Sequence, residues 1–329
     1  MLLTIKKHPR TIGLIVGVFL FLVTGLALTM NSNDTESSVS ESFFAVPAQL
    51  KNSGLNVDFS QSSIELDQIL NGGPGKDGIP ALVDPKFISQ DEARIPNETQ
   101  VIYVEKNGVE RLYPYNILVW HEIVNDTVGG TPLIITFCPL CGSAIVFEST
   151  VDDQVLEFGV SGYLHESNMI MYSREDPETL WSQSLGRAVV GDRLGQELEH
   201  YPFQLLSYGE AKSRYPNAEV LSSDTGFTRN YDSNPYSGYE DTEELVFPVS
   251  TTDERYPAKE LFYIVPLEGM SIAVRLDRDN GTYRVPDTNI DITFDNGAIT
   301  SNWGDAILPG YYEMWFSWAT HHQDNGIVF

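Results

Sequence analysis

Apolar and polar positions alternate with a period of two over much of the chain, in short runs broken by glycine, proline, asparagine and aspartate. Residues 101–113 alternate around Asn107-Gly108, a pair suited to a two-residue hairpin because both positions tolerate positive φ. Further β-branched or aromatic runs lie at 133–137, 144–147, 156–160, 169–172, 245–249, 261–265, 271–276 and 290–294, the last leading into Asn296-Gly297. Two segments predict helix instead. In residues 115–126 helical spacing puts Ile117, Trp120 and Val124 on one face with His121 beside them, and Glu122 and Asp126 on a neighbouring face. The second spans 207–215 and is stopped by Pro216. Gly129-Gly130 lets the chain turn back from the first helix into the strand that ends at Cys138. The pattern predicts an α+β, predominantly β fold: a barrel- or sandwich-like core of short strands with a few inserted helices.

The amino-terminal pattern differs. Lys6, Lys7 and Arg10 precede an uncharged, apolar run over residues 11–30, close to the ~20 residues that cross a bilayer as a helix. Ala27-Leu28-Thr29 makes a poor peptidase site, so an uncleaved transmembrane signal anchor is expected. The basic flank, residues 1–10, then stays in the cytoplasm and the rest lies outside it. Residues 31–60 read as a flexible polar linker, with Phe43, Phe44, Ala45 and Val46 as a patch able to dock on the domain. Residues 61–329 read as one extracytoplasmic domain, ordered from about Ile64.

Charge narrows the partners. Across 329 residues, 46 aspartates and glutamates against 20 lysines and arginines give a formal net charge of -26. Phosphate backbones need a basic surface, so no nucleic-acid partner is expected. The expected partners are the membrane, through the N-terminal helix, and a small molecule, sugar, peptide or envelope protein. Asn33, Asn97, Asn125 and Asn280 begin glycosylation sequons, which matter only in a host that uses them. Neither a phosphate-binding glycine loop nor a Gly-x-Ser-x-Gly nucleophile elbow occurs.

Several motifs in order resemble one family. They include Gly78-Ile79-Pro80-Ala81, then Trp120-His121-Glu122-Ile123-Val124-Asn125-Asp126, then Thr136-Phe137-Cys138-Pro139-Leu140-Cys141-Gly142-Ser143. Ser161-Gly162, Ser167-Asn168, Met171-Tyr172 and Leu180-Trp181-Ser182-Gln183 follow, then Asp224-Thr225-Gly226-Phe227 and Asn234-Pro235-Tyr236. Trp315-Phe316-Ser317-Trp318-Ala319 closes the set, which spans most of residues 75–320. The chain resembles the family catalogued as domain of unknown function 3179, found in exported or membrane-anchored bacterial and archaeal proteins. The resemblance implies that setting and no established activity. Ser173-Arg174 and His321-His322 depart from the family pattern; the cysteine segment does not.

The only two cysteines, Cys138 and Cys141, carry the candidate chemistry. One reading is a short-loop disulfide, a structural staple of modest value because a small loop removes little chain entropy. A second is a thiol-redox centre; the strand expected after Cys141 argues against a thioredoxin fold, in which a helix follows the first cysteine. A third is metal binding, with copper or zinc held by Cys138, Cys141 and His121, and with His165, Met169 and Met171 as weaker ligands. A lone Cys-x-x-Cys is a weak zinc signature, so the three readings stay open. The candidate catalytic residues are Cys138, Cys141, His121 and Glu122. Trp181, Ser182 and Gln183 could line a pocket or form a buried tryptophan with polar neighbours. Arg229, Tyr231, Asn234, Tyr236 and Tyr239 form a loop that could grip a sugar or peptide, or pack locally. His321-His322 is expected to be exposed. The chain therefore reads as a membrane-anchored extracytoplasmic metal or thiol-redox protein, or as a non-enzymatic envelope binding module with the cysteines as a staple.

Overall fold

The strand that carries Cys138 is buried on both faces, and the largest sheet is built around it. The computed structural model describes residues 46–322 and 325–329, so the expected anchor, its basic flank and most of the linker lie outside the described residues. In that sheet of eight strands the order is Leu82–Val83, Ile123–Val128, Thr131–Cys138, Ser143–Glu148, Tyr311–Met314, Leu261–Leu267, Met270–Arg275 and Gly326–Val328. Leu133 to Cys138 is continuously buried, as expected where a central strand is covered on both sides and reads as an unbroken apolar run.

Four further sheets accompany it, the smallest being the two-stranded pair Thr150–Val151 and Gln154–Val155. One orders Gln204–Ser207, Gln100–Lys106, Val109–Pro114, Glu219–Leu221 and Phe87–Ile88. A second orders Leu70–Asn71, Phe158–His165, Asn168–Ser173, Thr179–Ser182 and Arg187–Val190. A four-stranded meander spans Gly281–Arg284, Ile290–Asp295, Ala298–Trp303 and Ala306–Leu308. The described fold is thus mostly β, in several open sheets, and no sheet among the described residues closes into a barrel. No described helix is long and apolar enough to cross a membrane.

The hairpins follow their turn residues. Asn107-Gly108, Gly129-Gly130 and Asn296-Gly297 all take positive φ at both positions, which matches the twist of the flanking strands. Three helices of seven residues, Tyr115–His121, Tyr208–Arg214 and Trp315–His321, each start directly at the end of a strand. Ser207 caps the second by accepting from the Glu210 amide at 3.3 Å.

Three expectations are corrected. The first helix ends at His121, not at residue 126, because β-branched Ile123 to Val128 pairs along Thr131–Cys138. Asp126 then faces Arg111 and Tyr113 and shares no helix face with Glu122. Residues 245–249 form no strand; Leu245, Phe247 and Val249 pack on the main core from a loop interrupted by Pro248. Ordered structure also reaches back before Ile64. The short helix Ala48–Lys51 places Leu50 among Ile69, Tyr163 and Leu180 in a satellite cluster.

Candidate functional site: a buried thiol pair beneath a tyrosine loop

Cys138 ends one central strand and pairs with Ser143, which begins the next, so Pro139-Leu140-Cys141-Gly142 forms the connecting turn. Gly142 has φ +56, and a Cβ there would press on Met314 at 3.1 Å, so glycine lets the turn close against the neighbouring strand. Both cysteines are unbridged and only 2 % and 0 % exposed.

Their surroundings are unequal. The Asn168 amide donates to Cys141 Sγ at 3.0 Å, and Ser143 Oγ lies 3.2 Å from the same sulfur. Ser143 has one proton and donates it to Gln183 Oε1 at 2.6 Å. The single Cys141 thiol proton therefore goes either to Ser143 Oγ or to the Cys138 sulfur, one at a time. Gln183 is held by its own bonds to Thr136 Oγ1 at 2.9 Å and the Ser143 carbonyl at 3.2 Å, and Thr136 donates onward to Ile145. The Asn168 amide favours charge on the Cys141 sulfur, and so would a Ser143 hydroxyl turned towards it, so the thiol form rests on burial. Burial pushes its pKa well up, and the neighbouring Cys138 adds to the rise. Burial also opposes a Cys138 thiolate, but the Cys141 thiol and the backbone N–H groups of Cys141, Met169 and Leu140 outweigh it, and the pKa is lowered.

One acid stands by each sulfur. Glu122 follows the shortened helix with φ 57 and ψ -32, a conformation that costs a non-glycine residue about 1–3 kcal/mol. Its carbonyl accepts from the Phe137 amide at 2.8 Å, which ties it to the residue before Cys138. The Glu122 carboxyl is buried, and burial first, then the charge of Cys138, raises its pKa far above the usual carboxylate range. Glu313 is fully buried and accepts from Ser317 Oγ at 2.6 Å; burial pushes it up to about 7. Its charge reaches Cys141.

His121 is buried, as its helix position implies, but both ring nitrogens are engaged. Nδ1 lies 2.7 Å from the Pro80 carbonyl and must donate to it, so Nε2 accepts from the Tyr231 hydroxyl at 2.7 Å. Tyr231 in turn lies 2.6 Å from Thr225 Oγ1. Burial and the charge of Arg229 lower the pKa of His121 against the raising effect of Pro80. No lone pair is left for a metal. Among the described residues no three His, Cys, Asp or Glu side chains are grouped to hold a metal ion. The structure thus brings Cys138, Cys141 and Glu122 together and leaves His121 in a separate hydrogen-bonded chain. Met169 and Met171 are core residues.

The tyrosine loop covers the pair. A cleft of about 410 Å³ is lined by Phe137 and Pro139, which flank Cys138, and by Tyr115, Tyr231, Tyr236 and Tyr239. Burial raises the Tyr239 pKa to about 12, with added effects from both cysteines, and that of Tyr236 rises under burial, Glu122 and Cys138. Lys259 fastens the loop through the carbonyls of Tyr239 at 2.7 Å and Glu244 at 2.8 Å. Asp232 and Glu240 give the mouth an acidic edge.

Gln183 proves to be a network hub while Trp181 is buried core, its Nε1 donating to Ser173 Oγ at 3.0 Å. His321 and His322 are not exposed as expected. They sit with His200 around a second cavity of about 1010 Å³, because the last helix packs its end against the core. Sequence reasoning places Ser143 and Asn168 only among the motifs of the family resemblance, without a role at the cysteines, and misses Glu313. A single acid inside the apolar run Tyr311-Tyr312-Glu313-Met314-Trp315 was the available signal for the last.

A family model described as a protein of unknown function, DUF3179, matches residues 76–302. No curated protein and no solved structure matches the chain.

Proposed function

The chain belongs to the DUF3179 family, and we propose that it is a membrane-anchored, extracytoplasmic thiol–disulfide exchange protein with Cys138 as attacking thiolate and Cys141 as resolving thiol. The observation that carries this reading is the unbridged pair in one turn, with the Cys141 sulfur held by the Asn168 amide at 3.0 Å and by Ser143 at 3.2 Å. Cys138 attacks one sulfur of a partner R–S–S–R′, and its bond to R–S forms as R′–S⁻ leaves. Glu122, whose pKa burial and the charge of Cys138 raise, is the acid placed to hand R′–S⁻ its proton. Cys141 then loses its proton and attacks Cys138 Sγ, releasing R–SH. The sum converts protein dithiol and R–S–S–R′ into protein disulfide, R–SH and R′–SH, and the reverse direction oxidises a partner dithiol.

The acidic, tyrosine-lined cleft is where the partner would enter. The same cleft also favours a second reading, a non-enzymatic module for a sugar, peptide or envelope partner in which the cysteines form a stable staple. Among the described residues, copper or zinc binding at the pair finds no third ligand.

The two readings separate on redox behaviour. The full chain is equilibrated with dithiothreitol and bis(2-hydroxyethyl) disulfide in varying ratio and its thiols are counted after acid quench. Exchange predicts a reversible midpoint, a trapped mixed disulfide in Cys141→Ser, and none in Cys138→Ser. A disulfide that survives excess dithiothreitol in the folded protein, or a trapped adduct in Cys138→Ser instead, would overturn the proposal.

A further inference from the structure

The resolving step has an unanswered requirement, which is where the proton of a wholly buried thiol goes. Cys141 has no exposure. Its two close side-chain contacts, Asn168 and Ser143, cannot accept and keep a proton at neutral pH. Glu122 stands by the other sulfur.

Glu313 meets the requirement by position. The Met314 amide donates to the Cys141 carbonyl at 2.9 Å, which fixes strand Tyr311–Met314 against the cysteine turn. Tyr312 pairs with Ala144, so the antiparallel register one step on sets Glu313 across from Ser143, on the face from which Ser143 reaches the Cys141 sulfur. A polar route joins the groups: Asn168 donates to Cys141 Sγ, and its carbonyl accepts from the Ser184 amide at 3.1 Å. The Ser184 hydroxyl is near enough to Glu313 to favour its charged form. The approach of Ser184 Oγ falls short of a well-formed hydrogen bond, so Glu313 Oε2 and Ser184 Oγ are both buried without a fixed partner. A buried carboxyl oxygen left without a fixed partner is an exception that calls for a reason.

We infer that Glu313 is the proton acceptor for Cys141 in the resolving step, an inference that rests on the exchange reading. As the Cys138–Cys141 bond forms, the Cys141 proton moves to the Glu313 carboxylate and R–S⁻ leaves with a proton from the cleft side. The acceptor empties towards the cavity of about 1010 Å³, which Ser184 and His321 both line. His321 Nδ1 donates to the Ser317 carbonyl at 2.8 Å, and the Ser317 hydroxyl donates to Glu313 at 2.6 Å, so helix Trp315–His321 spans from acceptor to cavity. A carboxyl held near 7 can take a proton at neutral pH and release it again. The titratable groups whose charge couples to it are Cys141 on the turn and Tyr311 on its own strand. Phe262, its cross-strand neighbour, carries no charge.

The test follows the reduced full chain after mixing with excess bis(2-hydroxyethyl) disulfide, with acid-quench mass analysis, from pH 5 to pH 9. Mixed disulfide at Cys138 and the internal disulfide are counted separately. Glu313→Gln should leave the first step within about twofold, slow the second at pH 7 by about tenfold or more, and erase an inflection near pH 7. An unchanged second step and inflection would overturn the role of Glu313 while leaving the exchange reading intact. Absence of any mixed disulfide in the natural protein would instead remove the exchange reading. Should Glu313→Gln not fold, Ser317→Ala decides. Loss of a hydrogen bond to a charged group raises the inflection by about one pH unit or more, and an unmoved inflection refutes the inference.

Discussion

His200 should make the folded protein sensitive to mild acid, and a single substitution can isolate its share. Its ring packs on Phe147 at 4.8 Å and stacks on Tyr311 at 5.4 Å, and Nε2 is buried without a partner. Burial, then the charge of His322, lowers its pKa from 6.5 to about 4. The folded state therefore favours the neutral ring. The stability this group supports is whole above pH 6.5, falls as the unfolded chain takes up the proton, and reaches its full loss below about pH 4. At pH 5 most unfolded chains carry the proton and few folded ones do, which costs roughly 2 kcal/mol for a fully buried ring and about 1–2 for this partly covered one. His200→Phe keeps the stacking and removes the titration. Glu313 works in the opposite sense, its raised pKa giving stability below about 4.5 that is lost as pH rises through about 7. That term is common to both proteins and cancels in their difference. Urea unfolding of both at pH 7 and pH 5 gives the four free energies. The natural protein should lose about 1–2 kcal/mol more than His200→Phe on acidification. A difference below about 0.5 kcal/mol would mean that His200 takes up its proton as readily folded as unfolded, and the burial argument would fail.

Two further perturbations test the frame that holds the site. Gly162→Ala places a Cβ 2.4 Å from the Gly75 carbonyl oxygen at φ +78, so it should destabilise by at least about 2 kcal/mol in thermal unfolding, and an unchanged Tm would contradict that close approach. Arg111→Met removes the ion-pair partner of Asp126, whose side chain is 6 % exposed, and should cost about 3 kcal/mol in urea unfolding, whereas Arg111→Met with Asp126→Leu should recover most of it.

How much of this was legible in the chain depends on the range of the interaction. Asn107-Gly108 and Asn296-Gly297 announce their hairpins because the need for positive φ is local. Ser207 and Pro216 bracket the helix Tyr208–Arg214 for the same reason. The spacing of Ile117, Trp120 and Val124 overstates the helix ending at His121, although the partner strand is the next in the chain. Helical spacing and the β-branched run Ile123-Val124 compete locally, and the pairing of Val124 with Ile135 decides for strand. The cysteines were visible by type alone. Their network was not, since Asn168 reaches Cys141 across 27 positions and Gln183 reaches Ser143 across 40. His121 illustrates the ambiguity most sharply. A histidine on an apolar face is equally compatible with ligation and with satisfied burial, and its partner Tyr231 is 110 positions away.

The acidic balance of the chain also bears on what the thiol pair could meet. With a formal net charge of -26, and Asp232 and Glu240 at the cleft, the approach to Cys138 carries negative potential. An anionic thiol or disulfide pays that repulsion on every approach, and only salt relieves it. A neutral or basic segment does not, and the tyrosine faces of the cleft attract cationic side chains, as Lys259 over Tyr239 at 3.4 Å already shows within the loop. Placing near each sulfur a carboxyl whose pKa is raised is consistent with this economy of charge. A Cys138 thiolate then develops near a Glu122 carboxyl that burial biases towards its neutral form, while Glu313, held near 7, takes up the proton that Cys141 gives away. The partner most compatible with the proposed chemistry is therefore a protein disulfide flanked by neutral or basic residues, entering beneath Tyr236 and Tyr239.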